Sequence, residues 1–146
     1  MFRGRHMHTI DAKGRVSLPA EFRVELQRRS ERAPFLANMP DYLALYPHED
    51  WIAYEQKLFA ADPLLPEAQD LQRFMLSGAA ECAADGQGRI SIPPPLREHA
   101  GLQKDVVIAG VGTHIQIWDR ARFEQEIART QAKYREIAAV VSRSTN

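Results

Sequence analysis

The 146 residues, 45% hydrophobic and 26% charged, have the size and composition of one globular domain and exclude a disordered chain. The balance of 19 basic against 19 acidic residues excludes a bulk polycation, and the single cysteine, Cys82, excludes an internal disulfide. No stretch approaches the ~18 apolar residues of a membrane span, and the first residues lack the apolar core of a signal peptide, so we expect a cytoplasmic protein.

Basic residues are concentrated at the start of the chain. Residues 1–32 contain eight basic and four acidic side chains, so this segment carries a formal charge of +4 and the remainder carries −4. A local patch rich in arginine fits the recognition of phosphates or carboxylates. Solvated helix faces with glutamate partners would give the same counts, and charge alone favours them.

An internal repeat organises the chain. Residues 11–23 (DAKGRVSLPAEFR) and residues 85–97 (DGQGRISIPPPLR) match at a shift of 74 positions, with six of thirteen residues identical and three apolar replacements. A weaker match relates residues 43–51 to residues 115–123 at a shift of 72. One copy of about 45 residues buries too little apolar surface to be stable alone, so we expect the two copies to pair about a pseudo-twofold axis.

Each copy is predicted to fold as a strand, a tight turn, a second strand and a short helix. Polar and apolar residues alternate in the second strand, and an Asp followed closely by a Gly is typical of a turn. The proline that follows ends the strand and starts a helix. In the first copy these rules predict a strand over Arg5–Ile10, a turn over Asp11–Gly14, a strand over Arg15–Leu18 and a helix from Ala20. A loop over residues 30–40, a strand over Tyr42–Tyr46 and a helix from Pro47 to about Ala60 are predicted to follow. On this last helix, the side chains expected to face inward are Trp51, Ile52, Leu58 and Phe59.

The second copy follows a linker and a helix from Pro66 that bears Leu71, Phe74 and Met75. The three prolines at 93–95 leave room for only a stub of helix. The other predicted elements are strands over Ala79–Ala84, Arg89–Ile92, Asp105–Gly110 and Thr113–Trp118, a turn over Asp85–Gly88, and a last helix capped by Asp119. That helix carries an apolar stripe of Phe123, Ile127, Thr130, Tyr134, Ile137 and Val141. The stripe is longer than one small domain needs, so part of it is predicted to pack on a neighbouring subunit, and the alternative is that it only covers the core of its own chain.

The two Asp-x-x-Gly-Arg turns are the most specific features. Asp11 and Arg15, and likewise Asp85 and Arg89, can form an ion pair across the turn, which would be a purely structural arrangement. An arginine exposed at a hairpin tip is equally suited to phosphates or to guanine edges. Around the first turn, positive charge is expected from Lys13 and from Arg3 and Arg5 at the start of the preceding strand. The second turn has uncharged residues at 86 and 87, so Arg15 is predicted to matter more for nucleic-acid binding than Arg89.

Residue patterns typical of catalysis are missing from the sequence. It contains no His-Glu-x-x-His, no Gly-x-Ser-x-Gly and no phosphate-binding Walker loop. His6 and His8 would share one strand face, but no third metal ligand accompanies them. We therefore predict no catalytic residue, no metal and no cofactor, and we expect Cys82 to be a small buried apolar side chain.

Several segments together resemble the MraZ family of bacterial transcriptional regulators. They are Met1-Phe2-Arg3-Gly4, the duplicated Asp-x-x-Gly-Arg, Leu45-Tyr46-Pro47 with Trp51, and His99-Ala100-Gly101-Leu102, and the similarity runs from Met1 to about Phe123. The resemblance implies an α+β fold in which two pseudo-symmetric SpoVT–AbrB-type halves, each a β-hairpin with a helix, form one intertwined β-barrel-like core flanked by helices. On this basis the chain divides into repeat 1 (5–52), a helical linker (53–78), repeat 2 (79–123) and a C-terminal helix or tail (124–146).

The resemblance also implies a function. It implies sequence-specific binding to double-stranded DNA at the protein's own promoter, at the head of the division and cell-wall gene cluster, by a nucleoid-associated ring of identical subunits. The expected DNA-binding residues are Arg15, Lys13, Arg3 and Arg5 with Gly14 and the turn-organising Asp11, and the second-repeat motif is Asp85, Gly88 and Arg89. Subunits of a ring meet head to tail, so we expect direct repeats spaced by about 10–10.5 bp. The alternative is a ring-forming scaffold that binds proteins without specific DNA recognition.

Overall fold

The computed structural model of the protein describes residues 1–145, and residue 146 of the predicted C-terminal segment lies outside them. The described residues form an α+β fold of eight strands and six helices. In chain order these are β1 (Phe2–Thr9), β2 (Arg15–Ser17), α1 (Ala20–Arg29), β3 (Phe35–Asn38), β4 (Leu43–Tyr46), α2 (His48–Phe59), α3 (Pro66–Gly78), β5 (Ala80–Glu81), β6 (Arg89–Ser91), α4 (Pro94–His99), β7 (Asp105–Gly112), β8 (Ile115–Asp119), α5 (Arg120–Ala132) and α6 (Tyr134–Ser144).

Six strands form one antiparallel sheet in the order β1-β7-β8-β4-β3-β5. Within residues 1–145 this sheet stays open, with β1 and β5 at its two edges, so the expected barrel-like closure is not formed. The physical reason is that β2 and β6 leave the large sheet to pair with each other. The edge strand β5 is also too short to extend it, because only Ala80 and Glu81 pair with β3.

The strands β2 and β6 form a separate antiparallel ribbon that joins the two repeats. Val16 pairs with Ile90 at its centre, and both side chains point into the core. The Leu18 N–H donates to the Gly88 carbonyl at 3.0 Å, and the Ile92 N–H donates to the Gly14 carbonyl at 2.8 Å. These two bonds are equivalent under the 74-residue shift, so the ribbon relates the repeats by an approximate twofold axis through the Val16–Ile90 pair.

The main core lies between this ribbon and one face of the large sheet. The short helices α1 and α4 close it through Phe22 and Leu96, which occupy the same place in the two repeats. Both helices begin directly after a proline, Pro19 and Pro93, as the sequence predicts. Burying each large apolar side chain contributes about 1.5–3 kcal/mol to the free energy of folding. The inner side chains of the ribbon therefore hold it on the core, and its outer face carries polar residues.

The predicted loop over residues 30–40 is wrong in part, because β3 occupies Phe35–Asn38 and lies between β4 and β5. Leu36 and Ala37 are both fully buried. A strand that is covered on both faces has no polar–apolar alternation, and the prediction relied on that alternation. The predicted strand over Ala79–Ala84 is correspondingly shorter, because only two of its residues pair with the short β3.

The last helix is also different from the prediction. It is two helices, α5 and α6, that meet at Lys133, whose φ of −113° and ψ of 19° interrupt the helix. The apolar stripe of α5 packs on Trp118 through Phe123 and Ile127, and the members of the stripe from Tyr134 onward lie on α6. Every residue of α6 is at least partly exposed. Phe59, which is predicted to face inward, is likewise exposed, and so are Leu71 and Phe74 of α3.

Candidate nucleic-acid interface

The first Asp-x-x-Gly-Arg turn is organised by one carboxylate. Asp11 Oδ1 accepts the backbone N–H groups of Lys13 at 3.0 Å and Arg15 at 2.8 Å, and Asp11 Oδ2 accepts the Arg15 Nε–H at 2.8 Å. Gly14 adopts a φ of 82° and donates its N–H to the Asp11 carbonyl at 2.9 Å. Residues with a Cβ rarely adopt this backbone conformation, which explains the glycine.

The second turn repeats this arrangement. Asp85 Oδ1 accepts from the Gln87 and Arg89 backbones at 2.8 and 3.0 Å, and Asp85 Oδ2 accepts the Arg89 Nε–H at 3.1 Å. Gly88 has a φ of 77°. The ion pair expected from the sequence is therefore present in both turns, and it does not exclude binding. It uses only the Nε–H of each guanidinium, and within residues 1–145 the terminal Nη groups of Arg15 and Arg89 have no hydrogen-bond partner.

The two carboxylates also have the same electrostatic setting. The backbone N–H of Arg15 lowers the pKa of Asp11 below its ordinary value, and the backbone N–H of Arg89 does the same to the pKa of Asp85. Both turns therefore keep a charged carboxylate at neutral pH, where it holds the arginine in place.

The ribbon brings the two arginines onto one surface. Arg15 pairs across the ribbon with Ser91, and Ser17 pairs with Arg89, while the residues between them point into the core. These four side chains, Arg15, Ser17, Arg89 and Ser91, are called the ribbon face below. Arg15 and Arg89 are diagonal neighbours on it, which places their Cα atoms about 7–8 Å apart.

Two further arginines adjoin the turns, and each comes from the opposite repeat. The guanidinium of Arg97 lies against Gly14, and the guanidinium of Arg23 lies against Gly88. The sequence prediction missed both residues as part of the site. A signal for them was present, because residues 23 and 97 are identical members of the repeated motif. No local rule, however, assigns a residue of one repeat to a turn in the other.

The structure does not bring Arg3 and Arg5 to the first turn. Arg5 lies four residues before the end of β1, which is about 13 Å along an extended strand. It pairs with Ala109 and stacks its guanidinium over the ring of Phe123 at 5.4 Å, beneath α5. Its neighbour His6 faces the other side of the sheet, against Phe22 of α1. Arg3 and Arg5 therefore share the face covered by α5, and Lys13 alone of the predicted basic neighbours is part of the turn.

The remaining candidate groups have structural partners. His6 Nε2 lies 2.8 Å from Glu21 Oε1, and residues 1–145 place no three His, Cys, Asp or Glu side chains together as metal ligands would be. Cys82 is buried, as predicted, and burial raises the pKa of its thiol to about 11. None of the described helices is long and apolar enough to cross a membrane.

Comparison with known proteins shows which family the chain resembles. The family model described as "MraZ protein, putative antitoxin-like" matches it twice, over residues 1–74 and 75–141. The protein named "Transcriptional regulator MraZ" from Solidesulfovibrio magneticus is 43% identical over 136 residues, which cover 92% of this chain and 90% of that protein. The protein of the same name from Heliobacterium modesticaldum is 42% identical over 138 residues, or 94% of each chain. The two successive matches agree with the repeat in the sequence, and the chain belongs to the MraZ family.

Proposed function

We propose that the chain is a transcriptional regulator that binds specific DNA sequences through the ribbon face. The observation that carries this proposal is the pair of arginines on that face, each held at Nε by an aspartate while its terminal N–H groups have no hydrogen-bond partner within residues 1–145. A guanidinium oriented in this way matches the paired acceptors of a phosphate or of a guanine edge. The name of the relatives, transcriptional regulator, supports the same function.

The dimensions of the ribbon fit the major groove of DNA. That groove is about 12 Å wide and admits a two-stranded β-ribbon. Gly14 and Gly88 mark the two ends of the ribbon, four residues apart along the strands, which corresponds to about 13 Å. The ribbon face would then lie against the base edges, and the two turns, with Lys13 at one of them, would reach the phosphates on either side.

The expected assembly and target belong to the same proposal. We place the protein in the cytoplasm, at the nucleoid, as a regulator of its own promoter ahead of the division and cell-wall genes. Each chain supplies two SpoVT–AbrB-type halves, divided at the boundaries predicted from the sequence, and identical subunits form a ring that reads direct repeats. Inserting about half a turn of DNA between two repeats should then abolish most of the affinity, and unchanged affinity would contradict a rigid ring.

The helix α6 is the proposed contact between subunits. Tyr134, Val140 and Val141 expose 67%, 58% and 56% of their surface, and nothing within residues 1–145 covers them. Light scattering should give a mass several times the 16.6 kDa of one chain, and Val141→Glu should lower it. A 16.6 kDa particle at micromolar concentration would contradict the assembly.

The direct test of the function is a fluorescence-anisotropy titration with the DNA upstream of the protein's own gene. A scrambled fragment of the same composition serves as the control, and both titrations are repeated at several salt concentrations. We expect tighter binding to the upstream fragment and a steep loss of affinity as salt rises. Equal, weak binding to both fragments would contradict the proposal and would favour the protein-binding scaffold.

A further inference from the structure

We propose that Arg97 and Arg23 are positioning residues that act across the repeats, so that Arg97 holds the first turn in its DNA-binding geometry and Arg23 holds the second. The inference rests on the proposed function for its binding assay. Its structural basis is independent of that function and can be tested without DNA.

The first observation is the space that each guanidinium occupies. A Cβ placed on Gly14 would lie 2.7 Å from both Cζ and Nε of Arg97, so the arginine fills the volume in which a side chain would stand. A Cβ on Gly88 would overlap the guanidinium of Arg23 in the same way. Both glycines are buried, which means that the arginines cover them. Each turn is therefore closed by a planar side chain from the other half of the molecule.

The second observation is how each arginine is anchored. Arg23 and Arg97 occupy the fourth position of α1 and of α4, directly after the buried Phe22 and Leu96. The backbone N–H of each arginine donates to the carbonyl of the proline that precedes its helix, at 3.1 Å in both repeats. The helix start thus fixes where the arginine leaves the backbone.

The third observation concerns the chemistry of the contact. The Nε atoms of Arg23 and Arg97 are buried and have no hydrogen-bond partner within residues 1–145. Neither arginine forms an ion pair with an acidic side chain of these residues. The contact therefore depends on the flat guanidinium packing against the turn. A lysine carries the same charge but has no planar group and cannot replace this packing.

A binding assay separates positioning from direct contact with DNA. We compare Arg97→Ala, Arg97→Lys and, as a matched control far from the ribbon, Arg73→Ala, whose arginine pairs only with Asp70 on the exposed side of α3. Removal of the Arg97 guanidinium from the first turn should weaken DNA binding about tenfold in both Arg97 variants, because lysine keeps the charge but not the planar group. The Arg73→Ala variant should bind as the unaltered protein does. Wild-type affinity in Arg97→Lys, with the loss confined to Arg97→Ala, would overturn the proposal and make Arg97 a phosphate contact through its charge.

Amide hydrogen exchange provides the test that needs no DNA. Arg97→Ala should speed exchange at Lys13, Gly14 and Arg15 in the opposite repeat and leave Gln87 and Arg89 unchanged. The variant Arg23→Ala should show the reverse pattern. Faster exchange confined to the arginine's own repeat, or equal in both turns, would overturn the proposal. Arg97→Lys, which keeps the aliphatic stem, replaces Arg97→Ala in this experiment if the alanine variant melts below the assay temperature.

A negative result in the DNA-binding assay and a negative result in the hydrogen-exchange experiment contradict different proposals. If the unaltered protein does not bind the upstream DNA, the proposed function is wrong, and the exchange pattern still decides whether the arginines act across the repeats. If the DNA is bound but the exchange pattern stays within each repeat, only the cross-repeat positioning is wrong.

Discussion

The two Asp-x-x-Gly-Arg turns have the same backbone geometry and different charge. Each has an aspartate that accepts three N–H bonds, a glycine at positive φ, and an arginine contributed by the other repeat. Lys13 in the first turn has Gln87 as its counterpart in the second. Both repeats therefore keep the groups that position the arginines, and the charge of the two turns differs by one side chain, Lys13.

The small difference in charge between the turns bears on the prediction that Arg15 contributes more to DNA binding than Arg89. That expectation depended on Lys13, Arg3 and Arg5, and the structure places Arg3 and Arg5 away from the turn, with Arg5 over the Phe123 ring of α5. The register of β2 and β6 also puts Arg15 and Arg89 on one face as diagonal neighbours, which corresponds to about 7–8 Å between their Cα atoms. That Arg15 matters more than Arg89 stays a prediction, and the shared face leads us to expect a smaller gap.

The largest expected effect is the loss of either arginine of the ribbon face. Arg15→Ala and Arg89→Ala should each cost about 1–3 kcal/mol of binding free energy per engaged chain, because a paired contact to a base edge or phosphate is lost. Several chains on one DNA multiply these losses, so both variants should lose most of their affinity, and Arg15→Ala should lose somewhat more than Arg89→Ala. Titration of both on one fragment, with thermal melts alongside, checks this. Near-normal binding by Arg89→Ala with an unchanged melt would show that the first turn acts alone.

A smaller effect is expected from exchanging the one residue that differs in charge. Lys13→Gln should lower the dependence of log affinity on log salt by about one per chain, and Gln87→Lys should raise it by the same amount. The double variant moves the charge to the second turn and should restore the original slope. If Lys13→Gln leaves the slope unchanged, Lys13 does not contact DNA and the two turns are electrostatically equal.

The smallest expected effect is a shared response to acid. Backbone N–H bonds lower the pKa of Asp11 and of Asp85, so the folded pKa lies below the unfolded one in both turns. The stabilisation is then present above the unfolded pKa and is lost as pH falls through the folded pKa. Carboxyl NMR titrations should show both groups titrating below the ordinary range of aspartate. An ordinary pKa in one turn alone would mean that its carboxylate does not organise the loop.

Much of the local structure could be predicted from the sequence, because local rules determine it. The turns, the strands around them and the helix starts after Pro19, Pro47 and Pro93 depend on residues within a few positions of each other. The position of β3 could not be predicted, because a strand buried on both faces carries no periodic signal. The break between α5 and α6 at Lys133 could not be predicted either, because the apolar stripe continues past it with unchanged spacing.

The part of the site that depends on neighbouring residues could also be predicted from the sequence. Asp11 with Arg15 and Asp85 with Arg89 are local pairs, and the spacing alone indicated their contact. The shared face depends on the register between β2 and β6, which are 74 residues apart, and the positions of Arg23 and Arg97 depend on it as well. Arg5 was misplaced because the charge count did not take into account which side of β1 it faces.

We propose that one ribbon face, formed by both repeats, binds DNA. NMR signals of the Arg15 and Arg89 Nε–H groups during titration with the upstream DNA test it most directly. We predict that both signals shift together and saturate at the same DNA concentration, while the Nε–H signal of Arg73 stays in place. A shift of Arg15 without Arg89, or of neither while DNA is bound, would contradict the claim.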